Sequence, residues 1–582
     1  MATPQTLNRR DFIGKSALGM GGLILSSVMV GSCRTEPDPG PGDPSQQGSF
    51  AHGIASFDPT ASQVIIWTRV SPTASPAKVA LTYQLATDAA FSRVVKTEAV
   101  DALADDDFTV SIDLSGLTAN TRYYYRFGLT NTSILSVVGE TKTLPQGAEA
   151  TEVRLAICSC SNYPSGFFNV YGALAASDAD VVLHLGDYIY EYGAGQYGSN
   201  ATTSTLNRAH QPATEIVTLD DYRTRFRQYR SDPQLQLAHQ KKPFICVWDD
   251  HEVVNNAYKD GAQNHQPNEG PFASRKANAL KAYHEYIGVR TTVNERIYRS
   301  FTFGNILNLH MLDTRLIGRD KQLDYGSYLS NGQLKETDFR RDWLNPSRTI
   351  LGSEQLAWLG QALSAGQAAW QVLGQQVLMA KMYLPAELAS TLAQVQAEST
   401  QGTINPATLQ RVQGQVLELV QLKNRVTNND PTLTAQERAR ISNVLPYNLD
   451  AWDGYPTERE AVLTLAKGKK LIALAGDTHN AWSTDLTTTD GLVAGREIAT
   501  PSVTSPGFEG IVGNNSTILS IFEQALTILI DDLNYANISK KGYAQVTFTT
   551  SRAVAEWRYV EGITTQTVAT TVGRSEAITA LL

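Results

Sequence analysis

Beyond residue 48 the apolar positions fall into two regimes. From 48 to about 145, apolar-rich runs at 63–70, 79–85 and 108–114 are separated by turns of Asp, Pro and Gly, and a turn at 117–121 leads into the aromatic run from Arg122 to Phe127. Runs of this length and composition predict strands, so 48–145 is expected to be all-β. From residue 152 the pattern changes. Strand-length apolar runs at 153–158, 181–185, 243–248, 306–312, 370–379 and 470–475 alternate with helical spacing at 168–176, 221–229 and 273–286. Strands alternating with helices predict an α/β catalytic-size domain over 150–560. Residues 384–444 differ again, being rich in Ala, Gln, Leu and Glu, with Val412, Val416, Leu419 and Val420 on one helical face. A helical insertion is expected there, either beside the mouth of a site or, the preferred reading, as solvated decoration.

The ends of the chain carry other information. Asn8-Arg9-Arg10-Asp11-Phe12-Ile13-Gly14-Lys15 reads as a twin-arginine export signal, and the apolar stretch 16–30 is short for a membrane span. It meets Val30-Gly31-Ser32-Cys33, a lipoprotein-type cleavage site that would make Cys33 the acylated N-terminus; an uncleaved anchor helix is the alternative. Residues 1–33 are therefore set aside as leader, and the Pro/Gly-rich 34–47 as a tether. The all-β region 48–145 has the pattern of a fibronectin type III-like sandwich, expected to pack rather than bind carbohydrate. Residues 144–147 read as a linker, and 561–582 as a C-terminal tail.

Composition narrows the function. With 42% hydrophobic and 18% charged residues the chain is globular. A net charge of -8 argues against general nucleic-acid binding. Of the four cysteines, Cys158, Cys160 and Cys246 remain beyond the leader, so at least one thiol lies outside any internal disulfide and is available to a metal. Cys158 and Cys246 are expected as buried thiols in separate strands, a disulfide between them being the alternative. No Gly-rich nucleotide cradle occurs, which excludes ATP-driven chemistry of that kind.

The chemistry lies at four strand ends: Cys158-Ser159-Cys160-Ser161-Asn162, Gly186-Asp187-Tyr188-Ile189-Tyr190-Glu191, Trp248-Asp249-Asp250-His251-Glu252, and Gly476-Asp477-Thr478-His479. Asp and His at buried strand ends cost several kcal/mol unless a cation or hydrogen bonds compensate them. Bound metal is therefore expected, and two cations fit the donor count better than one. Asp187 can bridge such a pair, which clamps a phosphate and activates a water. Cys160, Tyr190 and His479 suit a transition metal, whereas Asp250 and Asp477 suit a hard cation.

These blocks resemble the calcineurin-like metallophosphoesterase superfamily and, more narrowly, the alkaline phosphatase D (PhoD) family, over residues 50 to 550. The resemblance implies an α/β/β/α sandwich with two central mixed sheets. It implies Fe3+ held by Cys160, Asp187, Tyr190 and His479, and Ca2+ near Asp187, Asp250 and Asp477, with Mn2+ or Zn2+ as replacements. It further implies that His251 assists the phosphoryl group or leaving oxygen. Ser161 stands where the family usually has glutamine. A Gly-His block is not found, and Gln376 in Gly374-Gln375-Gln376 is the nearest match. Arg315, in Met311-Leu312-Asp313-Thr314-Arg315, either clamps phosphate or pairs with Asp313, the pair being preferred. Strand alternation points Asp249 away from the ligands, and Asn255 and Asn256 are support candidates. His184 is expected in the core, and His210, His239, His265 and His284 are given no role.

The expectation is an exported, lipid-anchored, metal-dependent phosphoesterase, periplasmic or cell-surface and monomeric. Its substrates would be phosphate mono- or diesters, whether small molecules, phospholipids or cell-wall polymers. The rivals are a phospholipase D-like headgroup hydrolase and a non-catalytic surface-binding protein.

Overall fold

Side-chain alternation along each strand divides the interior into three cores. On Gln63–Arg69, Val64 and Ile66 face one core with Ile54, Leu81 and Tyr125, while Ile65 and Trp67 face another with Leu155 and Ile245. On the central strands Val372 and Ile472 join the second of these cores, and Leu373, Leu471 and Ala473 turn to a third. This computed structural model describes residues 48–291, 296–330, 333–400 and 405–579. The leader, the tether and Cys33 lie outside the described residues. Among the described residues no helix is long and apolar enough to cross a membrane.

Two large mixed sheets share the main core. The nine-stranded sheet runs Thr570–Thr579, Arg552–Val560, Gly542–Phe548, Val153–Cys158, Val181–His184, Pro243–Cys246, Ile54–Phe57, Gln63–Arg69, Thr109–Ser115. The seven-stranded sheet runs Arg299–Phe303, Leu307–Met311, Trp370–Gly374, Lys470–Ala475, Val493–Ala499, Ala481–Thr487, Leu533–Asn537. Leu155 and Ile157 of the first meet the same core as Leu309, Val372 and Ile498 of the second. Helices such as Leu219–Arg230 and Phe272–Tyr286 pack on the first sheet's side, and Gly352–Ala365, Pro456–Leu465 and Ser516–Leu529 bury residues in the third core. The four layers implied by the resemblance are present.

Several expectations change. Ile54–Phe57 pairs in parallel with Pro243–Cys246, so the N-terminal region shares a sheet with the α/β region. Its other sheet, ordered Val94–Leu103, Lys78–Ala86, Arg122–Leu129 and Gly139–Lys142, closes over the separate small core. The expected linker is stitched down: Leu144 is buried and its N–H donates to the Thr60 carbonyl (2.9 Å), while Pro145 and Gly147 carbonyls accept from Gly304 (3.0 Å) and Asn305 (2.7 Å). Residues 570–579 are an edge strand rather than tail. The strand expected over 370–379 ends at Gly374, where Gln375 and Gln376 turn inward to bond with Trp452 and Thr314. The insertion is not solvated decoration. Val412, Val416, Leu419 and Leu422 of Pro406–Thr427 are buried, and that helix packs on Ser516–Leu529. Cys158 and Cys246 are free and buried, and His184 of the intervening strand lies in register between them, so they form no disulfide.

Asp453 supplies a stability test in the third core. It is buried, Oδ2 accepts the Met382 N–H (2.9 Å), and Oδ1 has no partner. Burial pushes its carboxyl from 3.8 up to about 7. The folded state thus holds this proton more tightly than the unfolded chain. The resulting stability is present below about pH 4 and is lost as pH rises through about 7. Asp453→Asn is expected to differ little from the parent in stability near pH 4 and to exceed it by up to about 4 kcal/mol at pH 9, as thermal denaturation at the two pH values would measure.

Candidate metal centre

Three of the four donor blocks leave adjacent parallel strands of the nine-stranded sheet, and the fourth leaves Lys470–Ala475 of the other sheet. Parallel strands deliver their carboxyl ends to one rim, where ligand sites form. The loops are sewn together there. Cys160 N–H donates to Gly186 O (3.1 Å), and Ser161 N–H to Asp187 O (2.9 Å). Across the gap between sheets, Cys160 O accepts from Ser505 N–H (3.2 Å) and Ser505 Oγ (2.9 Å). Gly186 takes φ +104°, and a Cβ there would lie 2.3 Å from the Asp249 Cβ. A Cβ on Gly476 would lie 2.6 Å from Ser159 Oγ. Both glycines let two donor loops touch. Cys160, Asp187, Asp477 and His479 themselves have φ of 63°, 55°, 64° and 62°. Left-handed backbone at non-glycine residues costs on the order of 1 kcal/mol each, and such residues cluster where geometry serves function.

The donors form three overlapping groups, each with its atoms within 4.8 Å of one another: Cys160, Asp187 and His479; Asp187, Asp250 and His251; Asp249, Asp250 and Asp477. Asp187 joins the first pair of groups and Asp250 the second. Tyr190 completes the first group: its hydroxyl donates to Asp187 Oδ2 (2.8 Å), accepts from Ser505 Oγ (2.6 Å) and lies 3.3 Å from His479 Nε2. His479 Nδ1–H donates to the Pro506 carbonyl (2.7 Å), which leaves the Nε2 lone pair facing Asp187 and Tyr190. Burial pushes the Cys160 thiol and the Tyr190 phenol well above their ordinary values, and the Asp187 charge adds to both shifts. Burial lowers His479 to about 3, so it is a neutral donor.

Around His251 the structure adds a residue not anticipated. Glu191, fully buried, takes His251 Nδ1–H on Oε2 at 2.6 Å, and its Oε1 accepts Asn255 N–H (2.8 Å) and Asn264 Nδ2 (3.1 Å). Burial would neutralise His251, but the Asp250, Asp187 and Glu191 carboxylates outweigh it and hold the imidazole protonated well above its ordinary range. Burial also pushes Glu191 up, yet His251 and the three hydrogen bonds leave it below the usual carboxylate value. The His251 ring lies on Tyr190, centroids 4.2 Å apart.

The oxygen-rich half departs from expectation. Arg315 does not pair with the Asp313 side chain by its guanidinium; Asp313 Oδ1 instead accepts the backbone N–H of Arg315 and Leu316 (2.8 Å each). The guanidinium is fully buried and donates to Asp249, to Asp450 Oδ2 (2.7 Å) and to Asp477 Oδ1 (2.7 Å), with Asp250 Oδ1 at 3.8 Å. Asp249 therefore points into the cluster, because the chain leaves the strand at Cys246 and alternation no longer governs it. Burial pushes Asp249 up to about 6 and Asp477 well above its ordinary value; for Asp250, Arg315, His251 and backbone N–H groups reverse the effect of burial. Gln376 spends its amide on Thr314, Trp248 O and Leu312 O, and Asn255 offers its backbone to Glu191; neither side chain joins a donor group. Glu252, also unanticipated, accepts the N–H groups of Asp187 (3.1 Å), Tyr188 and Asp249 (2.7 Å), fixing two donor loops at once. His184 sits in the core against the Tyr171 hydroxyl (2.8 Å).

The residues fit bound cations. Asp187 Oδ1 and Asp249 Oδ2 are buried without any partner. Buried carboxylates in that state are stable only when protonated or metal-bound. A soft thiolate–phenolate–imidazole end beside a carboxylate end also matches two different metal types.

Residues 155–557 match the family description PhoD-like phosphatase, and residues 34–145 match PhoD-like phosphatase, N-terminal domain. Alkaline phosphatase D of Bacillus subtilis is 34% identical over 525 residues, covering 86% of this chain and 77% of the relative. A solved structure of PhoD superposes with a TM-score of 0.71 at 29% identity, covering 92% of this chain and 91% of that one. A purple acid phosphatase from yellow lupin (Lupinus luteus) seeds shares the fold, with a TM-score of 0.51 at 12% identity, covering 92% of this chain and 74% of that one.

Proposed function

The chain belongs to the PhoD-like phosphatase family, a group of phosphoric-ester hydrolases, and on that premise we propose that it hydrolyses phosphate mono- and diesters at a centre of two or more cations. The observation that carries this reading is the overlap of three donor groups through Asp187 and Asp250. Cys160, Asp187, Tyr190 and His479 would hold iron, and Asp187, Asp250 and Asp477 a hard cation such as calcium, with manganese or zinc as replacements. When bound, the cations supply charge neutralisation at the phosphoryl oxygens and a more acidic attacking water.

The remaining chemistry belongs to side chains. Glu191 holds His251 in one orientation and, with Asp250 and Asp187, favours its protonated form, so the ring's other nitrogen can give a proton to the departing ester oxygen. Glu252 and the two contact glycines keep the donor loops in place. Arg9, Arg10 and Cys33 support export by the twin-arginine route and a lipid anchor at the periplasmic or cell surface, which would bring phospholipid and cell-wall phosphoesters within reach.

Assays on bis-p-nitrophenyl phosphate, p-nitrophenyl phosphate and phosphatidylcholine test the reading. Release of p-nitrophenol from either of the first two is expected. Headgroup release from phosphatidylcholine alone would replace it with a headgroup hydrolase, and metal-loaded protein inert on all three would leave a binding protein. The iron assignment has its own readout. A tyrosinate–ferric pair gives a broad visible absorption, so Tyr190→Phe is expected to abolish the colour of the purified protein. Colour that persists in the variant, or colourless parent protein holding only zinc or manganese, removes iron from the proposal.

A further inference from the structure

Arg315 stands among four carboxylates of the oxygen-rich half, yet its loop and one of its carboxylate partners lie outside the donor groups. Its loop is fixed from behind. Asp313 takes the Arg315 and Leu316 N–H groups and is itself bonded by Trp248 Nε1 (3.2 Å). The Thr314 N–H and hydroxyl both reach Gln376 Oε1. In front, one of its three carboxylate partners lies outside the donor groups and a second can serve both sides through separate oxygens. Asp450 belongs to none of the donor groups and is shared with Arg319, whose side chain is also fully buried. Asp249 belongs to the third donor group but spends Oδ1 on Arg315 Nε, which leaves Oδ2 for a cation. Asp477 is the contested partner, since its Oδ1 accepts from the guanidinium at 2.7 Å and its carboxylate also belongs to the third donor group.

We propose that Arg315 is a built-in cation of this half: it remains on Asp249 and Asp450 when a divalent ion takes Asp250 and Asp477, and it weakens the hold of those two carboxylates on that ion. The proposal rests on the metal-centre reading above and adds a positioning residue that acts through Asp477 and Asp249. Its physical basis is short-range repulsion, because a fixed positive charge beside the same oxygens opposes a second one, and burial strengthens the opposition. The guanidinium is fully buried and each of its three nitrogens already donates to a carboxylate, which favours a fixed charge over a phosphate clamp. The consequence is a hard-cation site that exchanges its ion rather than locking it.

The test is calorimetric titration of the full chain with calcium, repeated with manganese. Arg315→Gln is expected to bind at least about tenfold more tightly than the parent, because the opposing charge is gone. Arg315→Lys keeps the charge but loses the planar fork, and is expected within about threefold of the parent. Asp450→Asn releases the guanidinium toward Asp477 and is expected to bind at least about threefold more weakly. The opposite signs for Arg315→Gln and Asp450→Asn separate this role from simple scaffolding, under which both variants would weaken binding. Weaker or unchanged binding by Arg315→Gln overturns the proposal. If that variant does not fold, Arg315→Met, which also removes the charge, replaces it: tighter binding supports the proposal, and weaker or unchanged binding overturns it. A parent protein that binds neither ion overturns the metal-centre reading and this proposal together.

Discussion

Asp187→Asn is expected to lower kcat/KM for a phosphodiester by at least ~1000-fold, about 4 kcal/mol of lost transition-state stabilisation. Asp187 belongs to both the group with Cys160 and His479 and the group with Asp250 and His251, so the substitution strips a charged donor from each. Metal content should fall in parallel. The fold should not suffer. Burial holds the Asp187 carboxyl well above its ordinary value, with Asp250, Asp249 and Glu252 adding to the shift against His251, so in metal-free protein a neutral amide removes repulsion. The metal-free variant is therefore expected to melt at or above the parent's temperature, as scanning calorimetry would record. Lost activity with undiminished stability identifies a residue kept for chemistry. A variant with near-parental turnover would remove Asp187 as the bridge.

His251→Gln is the second large effect, expected at about 10²–10⁴-fold in kcat. A proton donor matters most when the departing oxygen is basic. The loss should therefore be steep for alkyl phosphodiesters and shallow for p-nitrophenyl esters, whose leaving group departs unaided. Glu191→Gln should follow the same leaving-group pattern at smaller amplitude, because it acts through the 2.6 Å contact to His251 Nδ1 and touches no reacting atom. Equal losses across leaving groups in both variants would reduce the pair to a structural support.

The donor blocks were legible because each joins an apolar run to metal-type side chains, and that much is local. What surrounds them is not local. Arg315 meets Asp450 and Asp477 across separations of 135 and 162 residues, so its Asp313 neighbour in sequence was the wrong partner to read. Glu191 and Glu252 sit inside the blocks, but nothing in their spacing shows that one orients His251 and the other ties two loops. A signal did exist for each, since a carboxylate adjoining a donor in an otherwise apolar stretch needs a partner of its own. The left-handed backbone at Cys160, Asp187, Asp477 and His479 occurs without glycine, so no residue type announces it. The apolar face of Pro406–Thr427 was visible, but the helix that covers it, Ser516–Leu529, lies about a hundred residues on, and the face read as solvated for want of that partner. Likewise the all-β pattern of 48–145 is correct, while the pairing of Ile54–Phe57 with Pro243–Cys246 is a long-range choice that periodicity does not express.

Whether these overlapping donor groups form one metal centre that hydrolyses phosphoesters is decided by following metal content per chain and turnover of bis-p-nitrophenyl phosphate together while a chelator is titrated in and metal is then restored. Rate and bound metal are expected to fall together, restored metal to restore the rate, and Asp187→Asn to recover neither. Hydrolysis that continues at the parental rate in metal-free protein would contradict the metal-centre reading.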